Sequence, residues 1–232
     1  MLTLKRLIFI LLAICVCMSS AYAKKKKSKA GEIENNVFTD LKYNYELTLP
    51  EEWKANVLKN DDDYRLILVQ KNYEIPPDYL DAPDYTYVPR ISIYAGESNM
   101  SSFALLDSLL SNTYSSEFKS NIFKEFEILN SQSVGEGTER ERTITKKRKP
   151  FNVGEDFKGV MWYGMSKYIK YVTTSSSSGS GTRVYGDYQG GVIILELDKN
   201  KKILFHVMSE GRYFPAVWNQ LETMVNSIKL NK

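Results

Sequence analysis

The stretch YNYELTLPEEW, residues 43–53, predicts the first well-defined strand of this chain. Large apolar residues alternate with small polar ones, which is the period of a strand with one buried face. Pro50 has no backbone N–H to donate to a neighbouring strand, so it ends the strand, and Trp53 begins a second short one. The apolar members of the alternation are Tyr43, Tyr45, Leu47 and Leu49.

Downstream of this strand, the period of the apolar residues changes twice. Strand patterns cover residues 64–70 and 90–94, and helical spacing then follows Ser101 and Ser102, which are suitable N-caps. The β pattern returns from Ile128 and ends in a hairpin with its turn at residues 198–202. The apolar stripe predicted for the central helix is Phe103, Leu106, Leu110 and Tyr114, and that for the closing helix is Phe214, Val217, Leu221, Met224 and Ile228.

This order of elements predicts an α+β fold, a mainly antiparallel β-sheet packed by helices. We expect a single α/β domain over residues 37–232, preceded by a lysine-rich flexible leader over residues 24–36. The sequence shows no internal repeat.

Residues 1–23 have the layout of a secretory signal peptide. Lys5 and Arg6 precede an apolar run over residues 7–16, and small residues flank Tyr22 in Ala21-Tyr22-Ala23. The run is shorter than the roughly 20 apolar residues that span a bilayer, so no transmembrane segment is expected after cleavage. The prediction is an exported protein, periplasmic or extracellular, whose mature chain begins at Lys24.

Both cysteines of the chain, Cys15 and Cys17, lie inside the predicted signal peptide. The mature chain is therefore expected to lack disulfides and thiolate sites. Acylation of one of them is the alternative to ordinary cleavage, but Ile14 and Val16 stand where a lipobox has a small residue.

The net charge of +3 is concentrated at the N-terminus. Lys5, Arg6 and the five lysines of residues 24–29 supply seven positive charges, which leaves −4 on the remainder of the chain. Because the remainder of the chain is negatively charged, a nucleic-acid partner is not expected. The segment Lys24–Lys29 is either a solvated spacer or a peripheral contact with an anionic membrane surface.

Two segments of the chain resemble the PsbP-like superfamily. Residues 43–53 resemble its opening strand, proline and tryptophan, and the segment from Phe205 through Phe214 to Val225-Asn226-Ser227-Ile228-Lys229 resembles its final strand, helix and Ser-Phe-Lys ending. Ile228 stands where the family usually has Phe, and residues 72–89 and 138–182 are expanded. The resemblance implies an α/β/α sandwich and, since most members act by binding, an accessory role rather than a particular activity.

No catalytic, cofactor-binding or metal-binding residue is predicted. His206, the only histidine, lies in a predicted strand on one face with Leu204 and Met208, which is typical of a half-buried structural histidine. Asp61, Asp62 and Asp63 lack the alternating ligands of a calcium loop. No phosphate-binding loop or nucleophile elbow is present.

Two groups of residues are candidates for binding a partner. Arg140, Arg142, Lys146 and Arg148 form a basic ribbon at strand spacing, which either attracts an anionic partner or protects a sheet edge from aggregation. Aromatic residues form the second group: Tyr79, Tyr85 and Tyr87 lie in a proline-rich loop, and Trp162, Tyr163, Tyr168 and Tyr171 lie in a later strand. Each of these side chains either forms part of a binding surface or packs in the core.

These features predict an exported, non-enzymatic binding or accessory protein of the bacterial cell envelope, whose partner is a protein or an anionic envelope polymer. The alternative is an envelope hydrolase with an acidic active site that no motif reveals.

Overall fold

The computed structural model describes residues 29–59, 63–74, 88–110, 138–143, 148–172 and 181–231, with side chains omitted for 138–143, 165–172 and 181–188. The sequence-based predictions for residues 1–28, 60–62, 75–87, 111–137, 144–147 and 173–180 lie outside these ranges. The elements are β1 Gly31–Glu34, β2 Val37–Asp40, β3 Tyr45–Thr48, β4 Trp53–Val57, β5 Tyr64–Gln70, β6 Arg90–Glu97, α1 Ser102–Leu110, β7 Thr138–Thr143, β8 Lys149–Pro150, β9 Gly159–Val172, β10 Gly181–Glu196, β11 Lys201–Glu210, α2 Phe214–Asn226 and β12 Lys229–Leu230.

The predicted α+β architecture is confirmed. All strand pairs described are antiparallel. The larger sheet runs β4-β5-β6-β11-β10-β9-β7, with β8 beside β9, and the smaller sheet runs β1-β2-β3-β12. The strand predicted over residues 43–49 is β3, with Tyr45 and Leu47 fully buried, and Trp53 begins β4, as predicted for the second strand.

The predicted start of the ordered domain at Val37 is wrong. Gly31–Glu34 already pairs with β2. The turn between the two strands is formed by Asn35 and Asn36, which both have positive φ (49° and 61°). Such turns match the twist of a hairpin, and Asn tolerates this conformation better than most residues. The charged composition of residues 24–36 concealed this short hairpin.

Each face of the larger sheet is covered by a different layer, because successive residues of a strand point to opposite faces. On β10, Ile193 and Leu195 belong to the core shared with α2 and the smaller sheet. Val192 and Ile194 belong to the second core, which contains the leucines of α1. The sheet therefore lies between α1 on one face and α2 on the other, as an α/β/α sandwich requires.

Helix α1 begins as predicted but buries a different stripe. The Ser101 hydroxyl accepts a hydrogen bond from the Ala104 N–H at 3.2 Å, as an N-cap does. The buried leucines are Leu105, Leu106 and Leu109, whereas Phe103 is 37% exposed. The prediction that Phe103 and Leu106 share the buried stripe is thus wrong for Phe103, because the leucine side of the helix packs on the sheet.

Helix α2 closes the fold as its apolar period predicts. Pro215 lies in the first turn, where a missing N–H costs no intrahelical bond. The predicted stripe is buried, and Trp218 and Val225 join it, but its last member, Ile228, follows the helix, which ends at Asn226. Glu222 on the same helix is half-buried, and its Oε1 accepts a hydrogen bond from Trp218 Nε1 at 2.7 Å.

A buried ion pair connects the two sheets. Arg65 Nε of β5 lies 2.7 Å from Asp40 Oδ2 of β2, and both side chains are fully buried. Asp40 Oδ1 also accepts hydrogen bonds from the backbone N–H groups of Lys42 and Tyr43, at 2.9 and 2.7 Å. The guanidinium lies 5.3 Å from the Tyr43 ring centroid. Asp40 thereby fixes both the turn that precedes β3 and the contact between the sheets.

Two tyrosines lie beside this ion pair, and their burial predicts that the fold loses stability at alkaline pH. Burial raises the pKa of Tyr45 well above 10.0, and burial also raises the pKa of Tyr43. A raised pKa stabilises the fold fully below pH 10, and that contribution is lost as the pH rises through the folded-state pKa. Above pH 10 the wild type should therefore lose about 1.4 kcal/mol per pH unit relative to Tyr45→Phe, measured by urea titration. Parallel curves for the two proteins would contradict the burial of this hydroxyl.

Candidate interaction surface

Helix α2 presents a different surface on each flank, because residues three and four apart in a helix are neighbours. Phe214, Trp218 and Glu222 follow one flank towards β9 and β10. Gln220, Thr223 and Ser227 follow the other flank, towards the end of β3. The two flanks therefore form separate candidate sites.

The first flank carries a cluster of three aromatic side chains. The Phe214 and Trp218 rings are stacked with centroids 5.7 Å apart, and Tyr163 of β9 meets the Trp218 ring edge-on at 5.6 Å. Phe214 and Trp218 are buried, whereas Tyr163 is 41% exposed. Such a ring, exposed on a rigid aromatic base, is typical of binding surfaces.

Gly191 of β10 allows the tryptophan to lie against the sheet. A Cβ at this position would overlap the Trp218 ring and lie 3.2 Å from the Trp162 carbonyl oxygen. The absence of a side chain at Gly191 is therefore what positions Trp218, and through it the base on which Tyr163 rests.

The edge of the larger sheet next to Tyr163 contains part of the basic ribbon. Strand β7 pairs with β9, which places Arg140 opposite Tyr168 and Arg142 opposite Ser166. Residues 166 and 168 of β9 lie on the same face of the strand as Trp162, because residues an even number of positions apart share a face. Trp162 belongs to the core under α1. Tyr163 lies on the α2 face, so the arginine positions and the aromatic cluster occupy opposite faces of one edge.

Two basic residues of this edge have described side chains. Arg148 is paired with Asp107 of α1, and both are partly exposed. An exposed pair of this kind contributes little to stability, but it neutralises one charge of the ribbon. Lys149 is exposed and pairs with Met161 of β9. Met161 lies two residues before Tyr163, on the same face of the strand.

The other predicted binding residues lie outside the described part of the chain. These are Tyr79, Tyr85, Tyr87 and Lys146.

The second flank of α2 forms a shallow groove against the end of β3. Its volume is about 370 Å³. Leu49 and Met224 are buried at its floor, beside the partly buried Pro50. The groove, called here the β3–α2 groove, is lined by Thr48, Leu49, Pro50, Asn219, Gln220, Thr223, Met224 and Ser227. Sequence reasoning missed it, although the neutral polar residues of α2 at helical spacing are a detectable signal.

Three further observations concern the histidine, metal ions and membranes. His206 is 2% exposed, so it is buried rather than half-buried, and its register partner on β6 is Ser92. Within the described ranges, no three acidic, histidine or cysteine residues form a group suited to a metal ion. No helix in the same ranges is both long and apolar enough to cross a membrane.

No family model matches this chain, and no curated protein matches it. Among solved structures, it is similar to the solution structure of cyanobacterial PsbP (CyanoP) from Synechocystis sp. PCC 6803, at 13% identity and a TM-score of 0.44, covering 88% of this chain and 98% of that one. It is also similar to LpqN of Mycobacterium tuberculosis, described as involved in cell envelope biogenesis, at 6% identity and a TM-score of 0.43, covering 90% of this chain and 88% of that one.

A third similar structure comes from Bacteroides thetaiotaomicron, at 9% identity and a TM-score of 0.39. The match covers 82% of this chain and 46% of that one, so this chain spans about half its length. These similarities assign no function to this chain.

Proposed function

We propose that this chain is an exported, non-enzymatic binding or accessory module of the bacterial cell envelope, which holds a protein or an anionic envelope polymer. The observation that carries the proposal is the exposed Tyr163 ring on its buried aromatic base, at the sheet edge formed by β7, β8 and β9. This edge is called the β7–β9 edge below.

The β7–β9 edge carries two kinds of group that favour association, an aromatic ring on the α2 face and arginine positions on the opposite face. An aromatic ring held by Phe214 and Trp218 loses little conformational entropy on binding, because its neighbours already restrict it. Arg140 and Arg142 add positive charge, which accelerates encounter with an anionic partner. The same strand also carries Glu139 and Glu141, so protection of the edge against aggregation is the competing role.

Export is the part of the proposal that rests on residues 1–23. The protein recovered from its native host should have a free N-terminus at Lys24, because Ala21 and Ala23 occupy the positions that signal peptidase reads. Intact-mass spectrometry measures this directly. Retention of residues 1–23, or acylation at Cys15 or Cys17, would contradict it.

Changing Arg140, Arg142, Lys146 and Arg148 together to Ser should weaken low-salt binding to an anionic wall polymer or to anionic liposomes. Each cation near a charged surface contributes about 1 kcal/mol, so a loss of roughly tenfold or more is expected. The parent's binding should itself weaken between 0.1 M and 1 M salt, since the Debye length falls from about 10 Å to 3 Å.

The matched control changes four exposed lysines away from the β7–β9 edge to Ser, namely Lys54, Lys59, Lys71 and Lys229. It removes the same charge and should retain more of the binding than the ribbon variant. Equal losses in the two variants would attribute the attraction to net charge. No binding by the folded parent at low salt would leave the ribbon as protection against aggregation.

A further inference from the structure

We infer that the β3–α2 groove is a second binding site, independent of the β7–β9 edge, and that it takes a neutral peptide segment carrying an apolar side chain. Its volume of about 370 Å³ lies at the lower end of the range for ligand pockets. A site of this size accommodates one apolar side chain with its flanking peptide groups.

The lining of the groove is uncharged, which favours a neutral ligand. Among the described residues that line the groove, none is ionisable. An ionic group placed there would lose hydration without gaining a counter-charge. Apolar Leu49, Pro50 and Met224 instead offer contact to an aliphatic or aromatic side chain, and methionine adapts readily to ligand shape.

Gln220 supplies a fixed hydrogen-bond donor at the rim. Its Oε1 accepts a hydrogen bond from Trp53 Nε1 at 2.8 Å. The indole nitrogen only donates, so this contact determines which end of the amide is oxygen. The Nε2 group has no hydrogen-bond partner among the described residues, and it is held in place to donate to a peptide carbonyl.

Two of the hydroxyl groups that line the groove, those of Ser227 and Thr223, are already engaged within the protein. Ser227 Oγ accepts from the Thr48 N–H at 2.9 Å and donates to the Met224 carbonyl at 2.6 Å. Thr223 Oγ1 donates to the Asn219 carbonyl at 2.9 Å. The side-chain groups that remain for a ligand are therefore the Thr48 hydroxyl and the amides of Asn219 and Gln220, which pair naturally with main-chain N–H and C=O groups.

These features favour a peptide over a sugar. A sugar ring stacks best on an exposed aromatic face, whereas no aromatic residue lines the groove and the Trp53 ring bonded to Gln220 is only 4% exposed. The floor is aliphatic, which suits an apolar side chain.

The test is an NMR titration of the full chain, expressed with its complete sequence, with N-acetyl-L-leucine methylamide. Saturable shifts are expected for the backbone N–H signals of Thr48, Asn219 and Thr223 and for the side-chain NH₂ of Gln220. Two other probes are titrated in parallel: N-acetyl-L-leucine, which carries a carboxylate, and methyl β-D-glucopyranoside. Both should bind at least tenfold more weakly than the capped leucine.

Gln220→Glu is the decisive variant. A carboxylate still accepts the Trp53 N–H but cannot donate, so affinity for the capped leucine should fall at least tenfold while the fold is retained. Asn226→Asp is the matched control, since it makes the same amide-to-acid change at an exposed position of α2 outside the groove. Its affinity should equal that of the parent.

Three results would overturn the inference: absence of saturable shifts with the capped leucine, unchanged affinity in Gln220→Glu, or preferential binding of the glucoside, which would assign the groove to a glycan. Each is independent of binding at the β7–β9 edge, which involves other residues and other partners.

Discussion

Asp40→Leu is expected to lower the free energy of unfolding by about 3–5 kcal/mol, the range found when one partner of a buried ion pair is removed. The variant leaves the Arg65 guanidinium fully buried without its carboxylate. The hydrogen bond from Nη2 to the Ala30 carbonyl, at 3.1 Å, does not supply a counter-charge. Urea titration of both proteins at neutral pH measures the loss.

The double variant Asp40→Leu/Arg65→Met separates the buried charge from the turn. It removes both charges, so it should recover a large part of the stability lost in Asp40→Leu. Recovery should remain incomplete, because the N–H groups of Lys42 and Tyr43 still lose their acceptor. A loss below about 1 kcal/mol in Asp40→Leu would show that the pair is exposed to solvent, as surface pairs contribute only that much.

Leu221→Ala should lower the free energy of unfolding by about 2–5 kcal/mol, as other large-to-small changes in protein cores do. Leu221 is fully buried in the core between α2 and the larger sheet. The truncation removes apolar contacts and leaves a cavity that rigid neighbouring strands fill only in part. Denaturant titration gives the value.

Asn219→Ala is the matched control two residues away on the same helix. Asn219 is exposed, so the change should cost about 0.5 kcal/mol or less. Equal effects of the two substitutions would contradict the orientation of α2 on the sheet.

The elements with a clear period were predicted well. Alternation in residues 43–49 and the apolar stripe of the closing helix each identify a buried face, because burial repeats with the geometry of the element. The prediction failed where composition and period disagree. The hairpin of β1 and β2 lies beside a lysine-rich stretch, and Phe103 is apolar but lies outside the leucine side of α1.

The candidate sites were predicted less completely. The sequence identified Tyr163 among several aromatic residues but could not separate it from Trp162, its buried neighbour. Only the two helix layers decide this, because Trp162 lies in the core under α1 whereas Tyr163 lies on the α2 face, against Trp218, and stays partly exposed. The groove combines Pro50 with Gln220, which are distant in sequence and adjacent only after folding.

The sequence by itself determined the fold class, the strand and helix faces and the concentration of positive charge at the N-terminus, because these depend on local period and composition. Only the tertiary structure decided that Asp40 pairs with Arg65, that Arg148 pairs with Asp107 and that the flanks of α2 form two different surfaces. Contacts between distant segments depend on strand order and register, and residues such as these carry no local signal of their partners.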